Sequence, residues 1–239
     1  MSYIVAIIYE HLIDLLFSLL FCLFISINSY SQNIYWYDVI IDVDGEDAES
    51  VIELVTDYYS NIDIPKDVSM SFSGIRMKGN SFKGTHILSM FSPSANSLAK
   101  FIGSFDGPNR QLYVSKIRKY IKSSRRVSGV GLLNLNLEMQ QPIGQAWLFK
   151  VKDQGAFAAA FGKLMKTFKP SGLISMGNLV HGTDNGENMY VYGTYPDLES
   201  AFQFGSESRK EQEAFATFSK EITSAEYSQT FTRVLIKQF

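Results

Sequence analysis

The sequence predicts an α+β fold in which one β-α-β-β-α-β unit occurs twice in tandem. Apolar residues alternate from Ile34 to Val43, which is typical of a strand with one buried face. Strand-like and helix-like segments then follow in one order, and the same order recurs in the second half of the chain. Pro93 and Pro196 each close the third strand of a unit and precede a helix start, so the two halves are equivalent there.

The first predicted unit begins with the strand at 34–43 and continues with a helix that Pro65 terminates. Two β-rich segments follow, joined by a turn-rich connector that is suited to a hairpin. A long helical stretch with a break at 106–108 leads to the last strand. The predicted segments are Ile34–Val43, Ala48–Ile62, Val68–Lys78, Thr85–Ser92, Ser94–Ser123 and Gly131–Met139.

The second predicted unit repeats this order, and its hairpin contains Asn185-Gly186, the strongest short hairpin signal. We align Tyr35 with Trp147, because aligning Trp36 with Trp147 would bring a polar face onto an apolar one. The predicted segments are Ala146–Lys152, Ala156–Phe168, Leu173–His181, Asn188–Tyr195, Asp197–Ala225 and Tyr227–Lys237.

A β-α-β-β-α-β unit is the ferredoxin-like arrangement, in which helices cover one face of an antiparallel sheet and leave the other open. Two such open faces in one chain can cover each other, so we expect the two antiparallel sheets to pack face to face. By its element order over Ile34–Phe239, the chain resembles the fused dimeric α+β barrel superfamily. The resemblance implies that the paired units often enclose a pocket. The expected domains are residues 32–141 and 142–239.

The N-terminal residues 1–31 are predicted to be a signal peptide. An apolar run from Leu15 to Ile27 is followed by small residues at Ser29 and Ser31, the pattern of a cleavage site. Cleavage would export the protein to the periplasm or the extracellular space, with Gln32 near its new N-terminus. The segment carries no Lys or Arg, so an N-terminal membrane anchor remains the alternative.

Charge and cysteine content exclude several classes of function. The chain has 22 basic and 24 acidic residues, and two of the acidic residues, Glu10 and Asp14, lie in the predicted leader. A formally neutral mature protein argues against nucleic acid as its partner. The single cysteine, Cys22, also lies in the leader, so the mature protein would have no disulfide and no thiolate metal site.

Polar residues on the two predicted open faces are the candidate ligand-binding site. Strand parity places an acidic and amide-rich set in the first unit and a basic set in the second, and opposed charges would favour pairing of the two faces. The charges could equally form a rim of salt bridges between the sheets. The candidates are Trp36, Asp38, Asn134, Asn136, Lys150 and Arg233.

No metal site or cofactor is predicted. The mature part contains two isolated histidines, His86 and His181, and no zinc-binding or nucleotide-binding motif. Some fused barrels of the superfamily bind haem, and the resemblance would then offer His181 as a ligand. Others are oxygenases that need no metal and use Trp, Asn, Tyr and Arg in the pocket, residue types that Trp36, Asn134 and Arg233 supply.

A basic stretch without acidic residues stands apart from the rest of the chain. If it belongs to the long helix of the first unit, it forms a basic amphipathic helix that could bind an anionic envelope surface, although a solvated helix face is the simpler interpretation. The basic residues are Lys116, Arg118, Lys119, Lys122, Arg125 and Arg126.

These observations lead to two functional hypotheses. The main one is an exported, non-enzymatic module that binds an unknown small molecule or protein, as a monomer or a homodimer. The alternative is a cofactor-independent oxygenase or isomerase of the barrel type. A hollow pocket lined by Trp36, Asn134 and Arg233 would favour the enzyme, whereas a gap filled by apolar side chains would favour the module.

Overall fold

The computed structural model describes residues 32–205 and 208–239, so the predicted leader lies outside the described residues. Strands and helices alternate in the described part, and none of its helices is long and apolar enough to cross a membrane. The strands are β1 Ile34–Val43, β2 Ser69–Lys78, β3 His86–Ser92, β4 Ile121–Leu135, β5 Ile143–Val151, β6 Ile174–His181, β7 Met189–Tyr195 and β8 Ala225–Gln238. The helices are α1 Ala48–Ser60, α2 Ala95–Gly103, α3 Gly107–Ile117, α4 Gln154–Thr167, α5 Leu198–Phe202 and α6 Arg209–Glu221, and a 3₁₀ turn, Gly45–Asp47, precedes α1.

The eight strands form one closed antiparallel barrel in the order β1-β3-β2-β8-β5-β7-β6-β4. This corrects the expectation of two separate sheets packed face to face. The strands of the first half, β4-β1-β3-β2, join those of the second half, β8-β5-β7-β6, through the pairs β2–β8 and β4–β6. Closure pairs edge strands that two separate sheets would leave with unsatisfied backbone groups.

The two faces of β1 explain how the barrel is oriented. Tyr35, Tyr37 and Val39 pack under the helices of the first half, together with a buried cluster that includes Val51. The residues between them face the barrel interior. Trp147 packs under the helices of the second half, whereas Trp36 faces inward, so the two tryptophans lie on opposite faces of the barrel wall, as the alignment of Trp147 with Tyr35 predicts.

The helix starts after the two equivalent prolines are also as predicted. Ser94 follows Pro93, and its side chain accepts a hydrogen bond of 3.1 Å from the Ser97 N–H at the start of α2. Asp197 follows Pro196 and accepts one of 2.7 Å from the Ser200 N–H at the start of α5. These N-caps satisfy backbone donors that the first helical turn leaves free.

The region between α3 and β4 differs from the prediction. The helix ends at Ile117 rather than Ser123, and β4 begins at Ile121, ten residues before the predicted Gly131. Residues of β4 pair with the whole of β1, from Ile34 opposite Gly131 to Val43 opposite Ile121. This long ladder overrides the helical spacing of the local sequence.

Candidate functional site

The barrel interior is filled at one end and hollow at the other. Apolar side chains that include Ile40, Phe82, Ile87 and Val127 pack together in the filled half. In the other half lies a cavity of about 390 Å³, here called the main cavity. Its size is within the range of small-molecule sites.

The main cavity is open to solvent at the end of the barrel where β1 begins and β3 ends. Its rim carries exposed residues, among them Lys66, Ser69 and Leu137. Its floor is formed by buried or half-buried side chains, most of them aromatic or apolar. The residues of the walls and floor used below are Trp36, Asp38, Ser89, Phe91, Asn134, Leu148, Ser175, Tyr190, Tyr192, Phe231 and Arg233.

Arg233 on β8 is a buried cation in the cavity floor, with 7% of its surface exposed. Its Nη1 donates a hydrogen bond of 2.6 Å to Ser89 Oγ on β3. Its Nε and Nη2 donate bonds of 3.0 and 2.7 Å to the Tyr192 hydroxyl on β7, and its guanidinium lies 4.5 Å from the centre of the Tyr192 ring. The guanidinium is therefore held in one orientation by side chains of two other strands, β3 and β7.

Asp38 on β1 faces the same cavity, directly opposite Ser89 in the ladder of β1 and β3. Burial raises the pKa of the Asp38 carboxyl, and a hydrogen bond from Ser89 together with the charges of Arg233 and Arg125 opposes this rise. Because Asp38 faces the cavity, it keeps part of its surface accessible while most of its surroundings are protein. A carboxylate with a raised pKa is a stronger base than a solvated one.

A second polar group of the cavity wall centres on Asn134. The Ser175 hydroxyl donates to Asn134 Oδ1 at 2.7 Å and lies 3.0 Å from the Tyr190 hydroxyl. Asn134 Nδ2 in turn donates to the Gln32 carbonyl at 2.9 Å. Burial raises the pKa of Tyr190 to about 12, so its hydroxyl stays protonated. The ring of Trp36 meets that of Tyr190 edge to face at 5.2 Å.

Two glycines of the barrel make room for these side chains. A Cβ on Gly144 would lie 2.1 Å from the Tyr192 hydroxyl, and a Cβ on Gly131 would lie 2.4 Å from Asn134 Oδ1. A Cβ at either position would force the neighbouring polar side chain to move. Tyr192 thus packs against bare backbone on the neighbouring strand β5, and Asn134 packs against bare backbone of its own strand β4.

Four of the six predicted ligand-binding residues, Trp36, Asp38, Asn134 and Arg233, line the main cavity. The other two do not. Asn136 follows the end of β4 with a φ of 54°, and its amide donates to the carbonyls of Pro170 and Gly172. Lys150 lies near the opposite end of the barrel and pairs with Glu226 at 3.2 Å.

The predicted basic amphipathic helix is not formed. Lys116 lies in the last turn of α3, Arg118 and Lys119 follow its end, and the other three basic residues belong to β4. Lys122 pairs with Asp44, and Arg125 pairs with Asp184. The six cations therefore do not share one helical face.

The sequence analysis missed the cavity residues of the inner strands. Ser89, Ser175, Tyr190 and Tyr192 all point inward, but the analysis considered only the first and last strand of each unit. The alternation of Ile87, Ser89 and Phe91 along β3 would have identified the inward face. The same parity argument applies to the two tyrosines of β7.

Neither histidine of the described residues lines the main cavity. His86 is buried on the side of the helices, where its ring stacks on Phe72 at 5.5 Å and burial lowers its pKa. His181 is exposed at the end of β6, so it does not fit the role of an axial ligand to a haem in the cavity. Within residues 32–205 and 208–239, no group of three or more His, Cys, Asp or Glu side chains could hold a metal ion.

Comparison with known proteins identifies the fold. No protein-family model and no curated protein sequence matches the chain. Among solved structures, proteins assigned as monooxygenases from Lactobacillus acidophilus and Fusobacterium nucleatum match with TM-scores of 0.57 and 0.59 and 14% and 11% identity. Each match covers 87% of this chain, and 96% and 94% of the respective neighbour. The chain has the dimeric α+β barrel fold.

A third similar structure is an anthrone oxidase-like protein, with a TM-score of 0.54 and 11% identity over 87% of this chain and 93% of the other. All three neighbours are described as oxygenases or an oxidase-like protein, and the barrel has a hollow interior lined by Trp36, Asn134 and Arg233, the arrangement that was expected to favour the enzyme. The hypothesis of a non-enzymatic binding module is therefore corrected in favour of its alternative.

Proposed function

We propose that the chain is an enzyme that binds a small conjugated carbon acid in the main cavity and acts on it as a cofactor-independent oxygenase or isomerase. The observation that carries this proposal is the pair Asp38 and Arg233 on the cavity floor. Ser89 forms a hydrogen bond with each of them. A base and a fixed cation in one desolvated pocket are the groups that proton abstraction next to a carbonyl requires.

In the proposed reaction, Asp38 removes a proton from a carbon adjacent to a carbonyl group, and the C–H electron pair becomes the enolate. The negative charge develops on the carbonyl oxygen, where Arg233 and the hydroxyl of Tyr192 stabilise it. The Tyr192 oxygen already accepts two hydrogen bonds from Arg233, so its own O–H is available to the substrate. Fixed donors of this kind lower the barrier because they need no reorganisation.

The enolate has two possible fates. In an isomerase, the proton returns to a different carbon of the conjugated system. In an oxygenase, the enolate transfers electrons to dioxygen as the second substrate, and a methylene group becomes a carbonyl with release of one water. Both reactions share the first proton abstraction, so the role of Asp38 is the same in each.

The walls of the cavity support a flat, apolar substrate. Trp36, Phe91, Leu148 and Phe231 line it, and aromatic side chains pack well against conjugated rings. The description of one structural neighbour as anthrone oxidase-like supports the same class, since anthrones are enolisable aromatic ketones.

We also propose that the two halves are copies of one ferredoxin-like unit, because the order of helices and strands in each is the same. Export is a further proposal: cleavage near Gln32 would leave every described residue in the mature protein. N-terminal sequencing of exported material is expected to begin near Gln32. Recovery of an intact Met1 terminus from the membrane fraction would instead support the anchor.

Oxygen uptake tests the proposed function. Purified protein is mixed with anthrone, and dioxygen consumption and the appearance of the quinone are followed. Asp38→Asn and Arg233→Met are expected to reduce the rate by at least about 100-fold, the usual contribution of a base or an oxyanion donor. Lys150→Gln is the matched control, since Lys150 lies outside the cavity. Turnover without oxygen uptake would identify an isomerase, and equal rates in all variants would refute the assignment.

A further inference from the structure

A second, smaller cavity lies behind Asp38, on the side away from the mouth. Its volume is about 40 Å³, and we call it the rear chamber. Trp36, Asp38, Leu148 and Phe231 line both the main cavity and the rear chamber. These four side chains therefore form a partition, and Asp38 is its one acidic member.

The outer wall of the rear chamber is an ion pair rather than packed apolar side chains. Arg125 at the start of β4 pairs with Asp184 in the loop between β6 and β7, and both line the chamber. Their side chains are 27% and 61% exposed. Arg125 also stacks on the ring of Phe82 at 4.9 Å. Solvent at this end of the barrel is thus separated from the chamber by two partly exposed charged side chains.

Although apolar side chains form most of its lining, the rear chamber offers polar partners to a water molecule. A water molecule needs roughly 10–15 Å³ and two or more polar partners, and the chamber offers the side chains of Asp38, Thr183 and Gln229. Glu187 also lines it and accepts hydrogen bonds from Ser228 at 2.7 Å and Gln229 at 3.3 Å. Burial acts to raise the pKa of the Glu187 carboxyl, but these and other hydrogen bonds hold this pKa at about 2. Glu187 therefore stays ionised and is not itself a proton carrier.

We propose that the rear chamber is a water-filled proton path that connects Asp38 to solvent at the end of the barrel opposite the mouth, with the Arg125–Asp184 pair as its gate. The inference rests on the proposed function of Asp38 as the base. A substrate in the main cavity would block the path from Asp38 to the mouth, whereas the rear chamber stays open. Protonated Asp38 would give its proton to a chamber water, which passes it to solvent, and regain its carboxylate. A proton taken up from solvent then protonates the reduced oxygen or the product carbon, so the overall reaction stays balanced.

The surroundings of Asp38 favour this direction of transfer. Arg233 and Tyr192 face it from β8 and β7 on the side of the main cavity, and Tyr190, which stays protonated, lies beside them. Arg125 faces it from β4 on the side of the rear chamber, with Asp184 and Glu187 behind. Two anionic groups, Asp184 and Glu187, thus lie in the rear chamber, where they attract a leaving proton. At the mouth, Lys66 and Asp67 carry opposite charges.

Hydrogen exchange at the indole N–H of Trp36 tests the path without any substrate. Trp36 lines both cavities and its Nε1 is buried beside the Tyr190 hydroxyl, so exchange depends on access by water. The chain has two tryptophans, and Trp147 lies under the helices, 5.2 Å from Phe204 and away from both cavities. Its indole N–H is an internal control for global opening in the same spectrum.

Two variants act on the rear chamber in opposite directions. Arg125→Ala opens the gate and is expected to accelerate Trp36 exchange by roughly threefold or more, and Val127→Phe fills the chamber and is expected to slow it by a similar factor. Trp147 exchange should stay unchanged in both. Lys150→Ala, which breaks another ion pair at the same end of the barrel, should change neither signal.

If the exchange rate of the Trp36 indole N–H is the same in Arg125→Ala, in Val127→Phe and in the wild type, water reaches Trp36 through the mouth alone. This result would overturn the proposal. If Val127→Phe disturbs the fold, Trp147 exchange also rises, and Arg125→Ala then decides the question by itself. The exchange rates do not depend on catalysis. Loss of the proposed enzyme activity would therefore leave this test intact, and the two proposals fail separately.

Discussion

The approach of Tyr192 to the backbone at Gly144 provides a sharp test of the site. A Cβ at this position would lie 2.1 Å from the Tyr192 hydroxyl and 2.8 Å from the ring carbon that carries it. Ordinary contact begins at 3.4 Å, so the hydroxyl must move by about 1.3 Å in Gly144→Ala. A shift of that size away from Arg233 would stretch its two hydrogen bonds, now 2.7 and 3.0 Å long, beyond the hydrogen-bonding range.

The expected cost of Gly144→Ala has two parts. Overpacking of a tight interior costs about 1–3 kcal/mol, and weakening the hydrogen bonds of a buried cation costs about 1.5–3 kcal/mol. Because the shift of Tyr192 relieves part of the overpacking, we expect a total of about 2–4 kcal/mol. Urea denaturation measures this free energy of unfolding.

A control and a rescue variant make the result specific. Gly103→Ala, at the end of α2, has no atom within 4 Å of the new Cβ and should be neutral or slightly stabilising. In a Tyr192→Phe background the hydroxyl clash is removed, so Gly144→Ala should cost less there, with a coupling of about 1 kcal/mol or more. Wild-type stability in Gly144→Ala, or strictly additive effects, would refute the reasoning.

Three further predictions follow from the buried charges. Asp38→Asn should raise the free energy of unfolding at pH 7, because burial raises the pKa of Asp38 and its ionisation therefore costs folding free energy. This gain should vanish below pH 3.8, the ordinary pKa of the carboxyl, and denaturation measured as a function of pH checks it. Carboxyl NMR should show that Arg125→Gln raises the pKa of Asp38 and that Asp184→Asn lowers it. Lys150→Gln should leave this pKa unchanged. Equal titration curves of Asp38 in all variants would exclude electrostatic coupling across the rear chamber. Glu187→Gln should cost about 1–3 kcal/mol at neutral pH. Since the pKa of Glu187 is lowered from 4.5 to about 2, this cost should fade as the pH drops through that interval, and a cost independent of pH would contradict it.

Local patterns predicted most of the secondary structure. The alternation along β1 and the hairpin around Asn185-Gly186 depend on residues close in sequence, and both the strand and the pairing of β6 with β7 form as expected. The hairpin is connected by a loop, residues 182–188, rather than by a tight two-residue turn. Barrel closure could not be predicted in this way. It pairs Ser71 with Gln238 and Ser128 with His181, and such distant ladders leave no trace in local periodicity.

The site was predicted as far as strand parity holds. Strand parity correctly predicted that the side chains of Asp38 and Arg233 face the barrel interior, because both strands are regular at those points. It failed for Asn136, because β4 ends at Leu135 and the next residue leaves the sheet with a positive φ. It failed for Lys150 because the interior ends before that residue, where the side chain reaches solvent and pairs with Glu226.

The central claim is that Asp38 removes a proton from a carbon acid bound in the main cavity. The most direct measurement is deuterium incorporation into the methylene group of anthrone in D₂O without dioxygen, with the wild-type protein and Asp38→Asn compared at equal concentration. The account predicts incorporation well above the uncatalysed rate for the wild type and a loss of at least about 100-fold in the variant. Equal incorporation by the two proteins would contradict it.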